Sequence, residues 1–316
     1  YFLRYNIDCH KSLLIEGTYM LPFKQLTYDD IPTIEKYISY QDYRTSEYTI
    51  AGIYMWRRYF DMAWCVVNDM LFIRMTFQSE TPYFCVPVGP GDLRSALGEL
   101  RNCCREQRQD LCLAAVPDGA RALIEEEFGN PMSVESTRDW YDYLYLTEEL
   151  ANLTGKKFKT QRNHINKFKR SYTDYRFVRI NAENIDQVRD FYKEYAPDNT
   201  PEGELPESES QAVSEFINEY YDRFNSIGYF LEIHGEVAGF AFGEIVNDTL
   251  FVHIEKASLN WHGSYQMLVN GFALELPSEI KYINREEDVG IEGLRQSKLS
   301  YNPIELLAKH TIRVKL

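Results

Sequence analysis

The sequence has no apolar run near the roughly 20 residues that cross a bilayer, and its first residues lack the basic, apolar and small-residue order of a secretory signal. A cytoplasmic protein without stable membrane insertion is the expectation. Cysteine is missing from the second half of the chain. The six present (Cys9, Cys65, Cys85, Cys103, Cys104 and Cys112) have no Cys-x-x-Cys spacing and no nearby histidines, so they read as buried or incidental thiols rather than a disulfide framework or zinc site. Cations are scarce: 34 Lys and Arg stand against 48 Asp and Glu, a net charge of −14 that argues against broad nonspecific nucleic-acid binding. No Ser-His-Asp order, metal-ligand spacing or nucleotide fingerprint is present, so no metal is expected and no motif names a cofactor.

What is abundant is apolar and aromatic surface, 44% and 15% of the residues, enough for more than one buried core in 316 residues. Met20 precedes the first clean strand-like segment in a chain that opens at Tyr1, so residues 1–19 read as an extension or tag. Internal similarity organises the remainder. Val66-Val67-Asn68-Asp69-Met70-Leu71-Phe72-Ile73-Arg74 recurs as Ile245-Val246-Asn247-Asp248-Thr249-Leu250-Phe251-Val252-His253 at an offset of 179, each a hairpin signature around an Asn-Asp turn. Upstream, Phe23, Leu26, Ile31, Ile34, Tyr37 and Ile38 align with Phe177, Ile180, Ile185, Val188, Phe191 and Tyr192 at an offset of 154. The difference of 25 predicts an insertion in the second copy, and residues 196–211, rich in proline and carboxylates, are read as a solvated loop that supplies it.

Each copy reads as a strand, helices, antiparallel strands, a loop, a helix and a further strand, which predicts an α+β fold with mixed, mostly antiparallel sheets. The expected division is 20–150 for a first, structural domain and 151–316 for a second domain carrying the chemistry.

This element order resembles the GNAT (acyl-CoA N-acyltransferase-like) fold, as two tandem domains. Gly155-Lys156-Lys157-Phe158-Lys159-Thr160-Gln161-Arg162-Asn163-His164-Ile165-Asn166-Lys167-Phe168, with Asn284-Arg285-Glu286-Glu287-Asp288 and Gly293-Leu294-Arg295-Gln296-Ser297-Lys298-Leu299-Ser300-Tyr301-Asn302-Pro303, resembles the C-terminal domain family of bacterial phosphatidylglycerol lysyltransferases. The resemblance implies transfer of an aminoacyl group from charged tRNA; a lipid acceptor rests on it alone. Where acetyl-CoA enzymes carry a Gly-rich turn for the pyrophosphate, this chain has Asn260-Trp261-His262-Gly263-Ser264-Tyr265, and Tyr265 replaces a small residue. Asn260, Gly263 and Tyr265 are thus the candidate donor loop, with an acyl-CoA donor less favoured than an aminoacyl one. In the first copy, Asp92 at the equivalent turn is read as a helix cap.

Seven Lys and Arg and no acid lie between Lys156 and Arg170. At 100° per residue, Lys156, Lys159, Asn163, Lys167 and Arg170 share one helical face, and Phe158, Ile165, Phe168 and Tyr172 the opposite one. With Arg162, the ridge fits phosphate contacts, and equally a solvated face. After a strand at 281–284, Arg285 is followed by three consecutive carboxylates, Glu286, Glu287 and Asp288, with Arg295, Lys298 and Tyr301 downstream. Crowded carboxylates raise one another's pKa and so fit a general base, but a closed ion-pair network fits as well. The resemblance favours Glu286 or Glu287 as base, Arg295 and Lys298 as anion binders and Tyr301 as proton donor. His253 and His262 are read as packed or surface residues, and Trp56, Trp64, Trp140 and residues 141–145 as packing.

The leading expectation is an acyl or aminoacyl transferase that uses aminoacyl-tRNA or acyl-CoA and a small-molecule or lipid acceptor bearing an amine or hydroxyl. The alternatives are a noncatalytic anionic-ligand-binding module and an acyl-CoA-dependent N-acyltransferase with a degenerate CoA loop.

Overall fold

A computed structural model describes residues 13–15, 18–77, 81–129, 133–199 and 204–316. The extension expected at residues 1–19 lies largely outside these; its described parts, Leu13–Ile15 and Thr18–Met20, pair as a small antiparallel sheet. The chain forms two compact units. The first gathers the stretch up to Tyr43, Trp56–Arg138 and Ala308–Leu316; the second gathers Arg44–Met55 and Asp139–Leu307. The expected linear division at residue 150 does not follow these boundaries, because two strands leave the stretch of sequence they would close.

Each unit is built on a seven-stranded sheet. In the first the order is Lys24–Gln25, Ala63–Val67, Met70–Met75, Tyr83–Phe84, Leu111–Pro117, Lys309–Val314, Ser133–Ser136. In the second it is Tyr175–Arg179, Ser226–Ile233, Glu236–Val246, Thr249–Ala257, Tyr282–Asn284, Asp142–Leu146, Glu305–Leu307. The fourth and fifth strands pair parallel in both sheets and every other neighbouring pair is antiparallel, so the sheets repeat one topology. A helix joins each parallel pair, as such a pair requires: Leu93–Glu106 in the first unit and Ser264–Leu274 in the second. The sixth strand is exchanged in sequence. Asp142–Leu146 follows the first unit's segment but joins the second sheet, and Lys309–Val314, at the end of the chain, completes the first.

This topology corrects the hairpin alignment. The Asn68-Asp69 turn joins the second and third strands of its sheet, whereas Asn247-Asp248 joins the third and fourth. The topological counterpart of Asn68-Asp69 is His234-Gly235, with φ of 53° and 84° against 51° and 58°. Both turns thus carry the two positive φ values of a type I′ hairpin. Placing His234 against Asn68 gives an offset of 166, twelve beyond the upstream 154. The insertion is therefore about half the expected length. It is also not a loop: residues 185–199 and 204–215 are helices, continued by a π-helical turn at Phe216–Tyr220. Pro206 sits in the first turn of its helix, where no N–H is needed, and Pro197 lies inside the last turn of the other.

Apolar spacing accounts for the cores. In the first unit Ala96, Leu97, Leu100, Cys103 and Cys104 form the buried stripe of a helix capped by Asp92, whose carboxylate accepts the Ser95 N–H at 2.8 Å. The five described cysteines are buried thiols. In the second unit, Phe158, Ile165 and Phe168 pack with Leu231, Ile233 and Leu268 on one side of the sheet. Tyr143, Tyr145, Phe272 and Ile283 join a second cluster. Trp64 is buried, but Trp140, expected in the packing, is 46% exposed.

Candidate functional site

The candidate site grows from the parallel pair of the second unit. Pairing runs only from Thr249↔Tyr282 to Phe251↔Asn284; beyond it the longer strand continues to Ala257 while its partner gives way to the loop at 285–288. A bulge on the longer strand, where Ile254 pairs with Phe242 and Val252 with Gly243, leaves His253 as the extra residue. A bulge re-aims a side chain, and this one faces the loop.

His253 is buried, with its Nδ1 2.8 Å from Oε1 of Glu286 and its Nε2 3.6 Å from Oε2 of Glu244. Burial alone would lower its pKa, but the two carboxylates outweigh that and push it up to about 9, so the imidazole is charged at neutral pH. Glu244, 1% exposed, also accepts the backbone N–H groups of Ile50 and Ala51 at 3.1 and 2.7 Å, in the first turn of the helix Ile50–Trp56. Those amides supply the donors that a buried carboxylate needs.

Glu286 has φ of 55°, a conformation that non-glycine residues adopt rarely, and its N–H donates to Oδ1 of Asn284 at 2.6 Å. Asn284 is itself fixed: its Nδ2 donates to the Arg44 carbonyl at 2.7 Å and to the fully buried Asp142 at 2.9 Å. Lys298 steadies the other side of the loop. Its buried ammonium donates to the carbonyls of Arg285 at 2.6 Å, Glu286 at 3.2 Å and Glu287. Burial, with the nearby Arg285 guanidinium, pushes its pKa down.

Of the three consecutive carboxylates, Glu286 and Asp288 turn to different partners, as in the ion-pair network that the sequence also allowed. Glu286 turns to His253. Asp288, fully buried, takes both Nε and Nη2 of Arg295 at 3.0 and 2.7 Å, the Tyr143 hydroxyl at 2.5 Å and the Gly290 N–H at 2.9 Å. Burial acts to raise its pKa, but Arg295, Tyr143 and Gly290 hold it well below the usual carboxylate range, the reverse of the predicted direction. Arg285 pairs with Glu255 at 2.8 Å, and its guanidinium lies 5.1 Å from the centre of the Tyr301 ring and 5.9 Å from that of Tyr145.

The predicted residues thus separate by what they touch. Glu286, Arg285, Arg295 and Lys298 meet around one loop, with Arg295 and Lys298 committed to Asp288, Asp139 and backbone carbonyls rather than turned out toward an anion. Tyr301, expected as a proton donor, is 3% exposed, and burial pushes its phenol above the ordinary range. Glu287 is half-buried.

On the helix Lys159–Ser171, Lys159, Asn163, Lys167 and Arg170 are exposed, as is Lys156 in the preceding turn, while Ile165 and Phe168 are buried. Arg162 instead donates to the carbonyls of Leu153 and Gly155. The two motif stretches meet through Gln161, whose Nε2 donates to the Ser300 carbonyl at 2.6 Å, and through Asn302, which reaches the Lys157 carbonyl at 3.2 Å. In the donor loop Asn260 is exposed, Gly263 precedes the helix Ser264–Leu274 with φ of 92°, and the Tyr265 hydroxyl lies 3.3 Å from that of Tyr195.

His253, Glu244, Glu255, Asp142 and Asn284 complete the network that the sequence reading did not assemble. One local signal was available: Glu244 is the single charge in the otherwise apolar run from Val237 to Val246.

The family described as phosphatidylglycerol lysyltransferase, C-terminal, matches residues 40–313. A Bacteroides thetaiotaomicron protein of unknown function, solved by crystallography, is 33% identical, with 94% of this chain and 100% of that one covered and a TM-score of 0.86. The C-terminal domain of a lysylphosphatidylglycerol synthetase from Agrobacterium fabrum, so designated provisionally, is 12% identical over 91% of this chain and 92% of that one, with a TM-score of 0.64. An uncharacterized Mycoplasmoides gallisepticum protein is 26% identical over 177 residues, 55% of this chain and 56% of that protein, so the match spans about half the length of this curated relative. The fold is shared with FemX, 10% identical over 93% of this chain and 97% of that one, with a TM-score of 0.55. Among the described residues no helix is long and apolar enough to cross a membrane.

Proposed function

Because the chain belongs to the family of phosphatidylglycerol lysyltransferase C-terminal domains, we propose that it is an aminoacyl transferase that takes its acyl group from aminoacyl-tRNA and passes it to an amine or hydroxyl on a small-molecule or lipid acceptor. The observation that carries this reading is the hydrogen bond of 2.8 Å between Glu286 and the charged, buried His253, where the parallel strands part. His253 fixes one of the oxygens of Glu286. The other oxygen is the base. As the acceptor's nucleophile bonds to the aminoacyl carbonyl carbon, its proton passes to Glu286 and then to the ribose oxygen released when the ester C–O bond breaks. Asn284 and Lys298 hold the loop, and Tyr301 and Arg295 support it. Lys156, Lys159 and Lys167 meet tRNA phosphates, and the loop at Asn260–Tyr265 borders the donor. The first unit is the scaffold.

The test is transfer of a labelled amino acid from a panel of aminoacyl-tRNAs to an acceptor extract, with acyl-CoAs run beside them. Glu286→Gln is expected to lower kcat by about 100-fold or more, the usual span of general base catalysis. Activity with acyl-CoA alone, or full activity in Glu286→Gln, would sink the reading.

A further inference from the structure

Beside the cationic ridge of the second unit lies a group of rings with no part in the network around Glu286. At 100° per residue, His164 flanks the ridge of Lys156, Lys159, Asn163, Lys167 and Arg170, between it and the buried face. Its imidazole lies 5.5 Å from that of the exposed His262. Next to His262, the half-buried Trp261 meets the Tyr172 ring edge-on at 5.3 Å, and the His262 N–H donates to the Tyr172 hydroxyl at 3.2 Å. The loop is pinned to the helix by Gly263, where a Cβ would lie 3.2 Å from Cβ of Phe168. Trp261 and Tyr172 also pack against the core beneath. The rings are therefore fixed at the edge of a strip of cations in a chain of net charge −14. Lys157 is bound to Glu149, but Lys156, Lys159, Lys167, Lys169 and Arg170 are exposed, and among the described residues none of them forms an ion pair.

Fixed rings beside a run of unpaired cations are the two parts of a single-strand site: the cations follow the phosphates and the ring faces take unpaired bases. A duplex, whose bases are already stacked, would engage only the cations. We propose that His164, His262 and Trp261 form a stacking platform for the bases of a single-stranded RNA end whose backbone lies along Lys159, Lys167 and Arg170. The inference rests on the aminoacyl-tRNA reading and adds to it the part of the RNA that is gripped and the residues that grip it.

The experiment is anisotropy with a labelled single-stranded RNA of about eight nucleotides, within the span of one such site, and with a duplex of equal length, across a salt series. The intact chain should prefer the single strand. His262→Ala combined with Trp261→Ala should weaken single-strand binding about tenfold or more and leave the salt slope unchanged, because no cation is lost. Lys159→Glu with Lys167→Glu should flatten that slope. Thermal melts separate unfolding from lost stacking, and Trp261→Phe, which keeps a ring face, should retain most of the binding. Equal affinity for both RNAs, or unchanged single-strand binding in the double alanine variant, overturns the platform. Transfer from aminoacyl-tRNA that survives such a result leaves the donor reading intact. Single-strand binding lost in the alanine variant without any transfer supports the platform and removes the donor reading.

Discussion

The two units repeat one sheet order and, besides the helical insertion of the second, diverge at the end of the parallel pair. In the first unit, pairing there is a single register, Phe84↔Leu113, and Leu111–Pro117 runs directly into the helix Asp118–Phe128. In the second, the longer strand outruns its partner and the opening is filled by His253, Glu255, Arg285 and Glu286. The first unit has buried ionisable groups too, in the pairs Lys24–Asp30 and His310–Asp118. The second joins its buried ions into one connected network around the loop at 285–288, and buried charge is costly unless paired. That difference is the physical ground on which the proposed chemistry is assigned to the second copy.

The largest break in the comparison comes from the exchanged strand. Lys309–Val314 sits between Leu111–Pro117 and Ser133–Ser136 and bonds to both. Ending the chain at Leu307 would leave two unpaired edges inside the first sheet. Hydrogen exchange on this truncated chain should show loss of protection throughout the first sheet, with the second sheet still protected. Uniform protection would show the sheet closes without its sixth strand.

Next in size is Glu244→Gln, which removes a buried charge of the second unit's network. His253⁺ would keep only Glu286. Breaking a buried ion pair costs about 3–5 kcal/mol. At about 2–4 °C per kcal/mol for a domain of this size, the melting temperature should fall by on the order of 10 °C. A fall of a degree or two would mean the charge is screened by solvent the burial does not suggest.

His253→Gln tests the same network through pH. The folded pKa of about 9 exceeds the ordinary 6.5, so the stabilisation is complete below pH 6.5 and is lost as pH rises through 9. The shift corresponds to on the order of 3 kcal/mol. Denaturant melts of the intact chain should therefore show stability falling between pH 7 and 10, and His253→Gln should flatten that slope. Parallel slopes in the two proteins would remove His253 from the network.

These results bear on what the sequence can and cannot convey. The strand and helix order, the basic face of the helix Lys159–Ser171 and its buried stripe are local, set by periodicity, and the α+β reading follows from them. The Asn-Asp turns misled because a two-residue turn follows the same chemistry wherever it falls in a sheet, so it marks a hairpin and not its rank. The strand exchange and the Glu244–His253–Glu286 contacts depend on pairings across long sequence separations, which no window records. Glu286 was legible from its charge-rich surroundings, but its pairing with His253 depends on a bulge that leaves no mark in the residues themselves.

The smallest effect separates backbone strain from crowding. Gly263 and Gly235, both in the second unit, hold positive φ, 92° and 84°. A Cβ at Gly235 meets nothing within 4 Å among the described residues, whereas at Gly263 it lies 3.2 Å from Cβ of Phe168 and 3.4 Å from the His164 carbonyl. Gly235→Ala should therefore cost only the conformational term, about 1–2 kcal/mol. Gly263→Ala should cost that and more, because the neighbouring helix must give by a few tenths of an ångström. The excess of the second over the first, read from paired denaturant melts, measures how tightly the loop at 261–263 is held to its helix. If the two variants lose equal stability, the loop is free to shift, and the fixed ring geometry on which the stacking platform depends is lost with it.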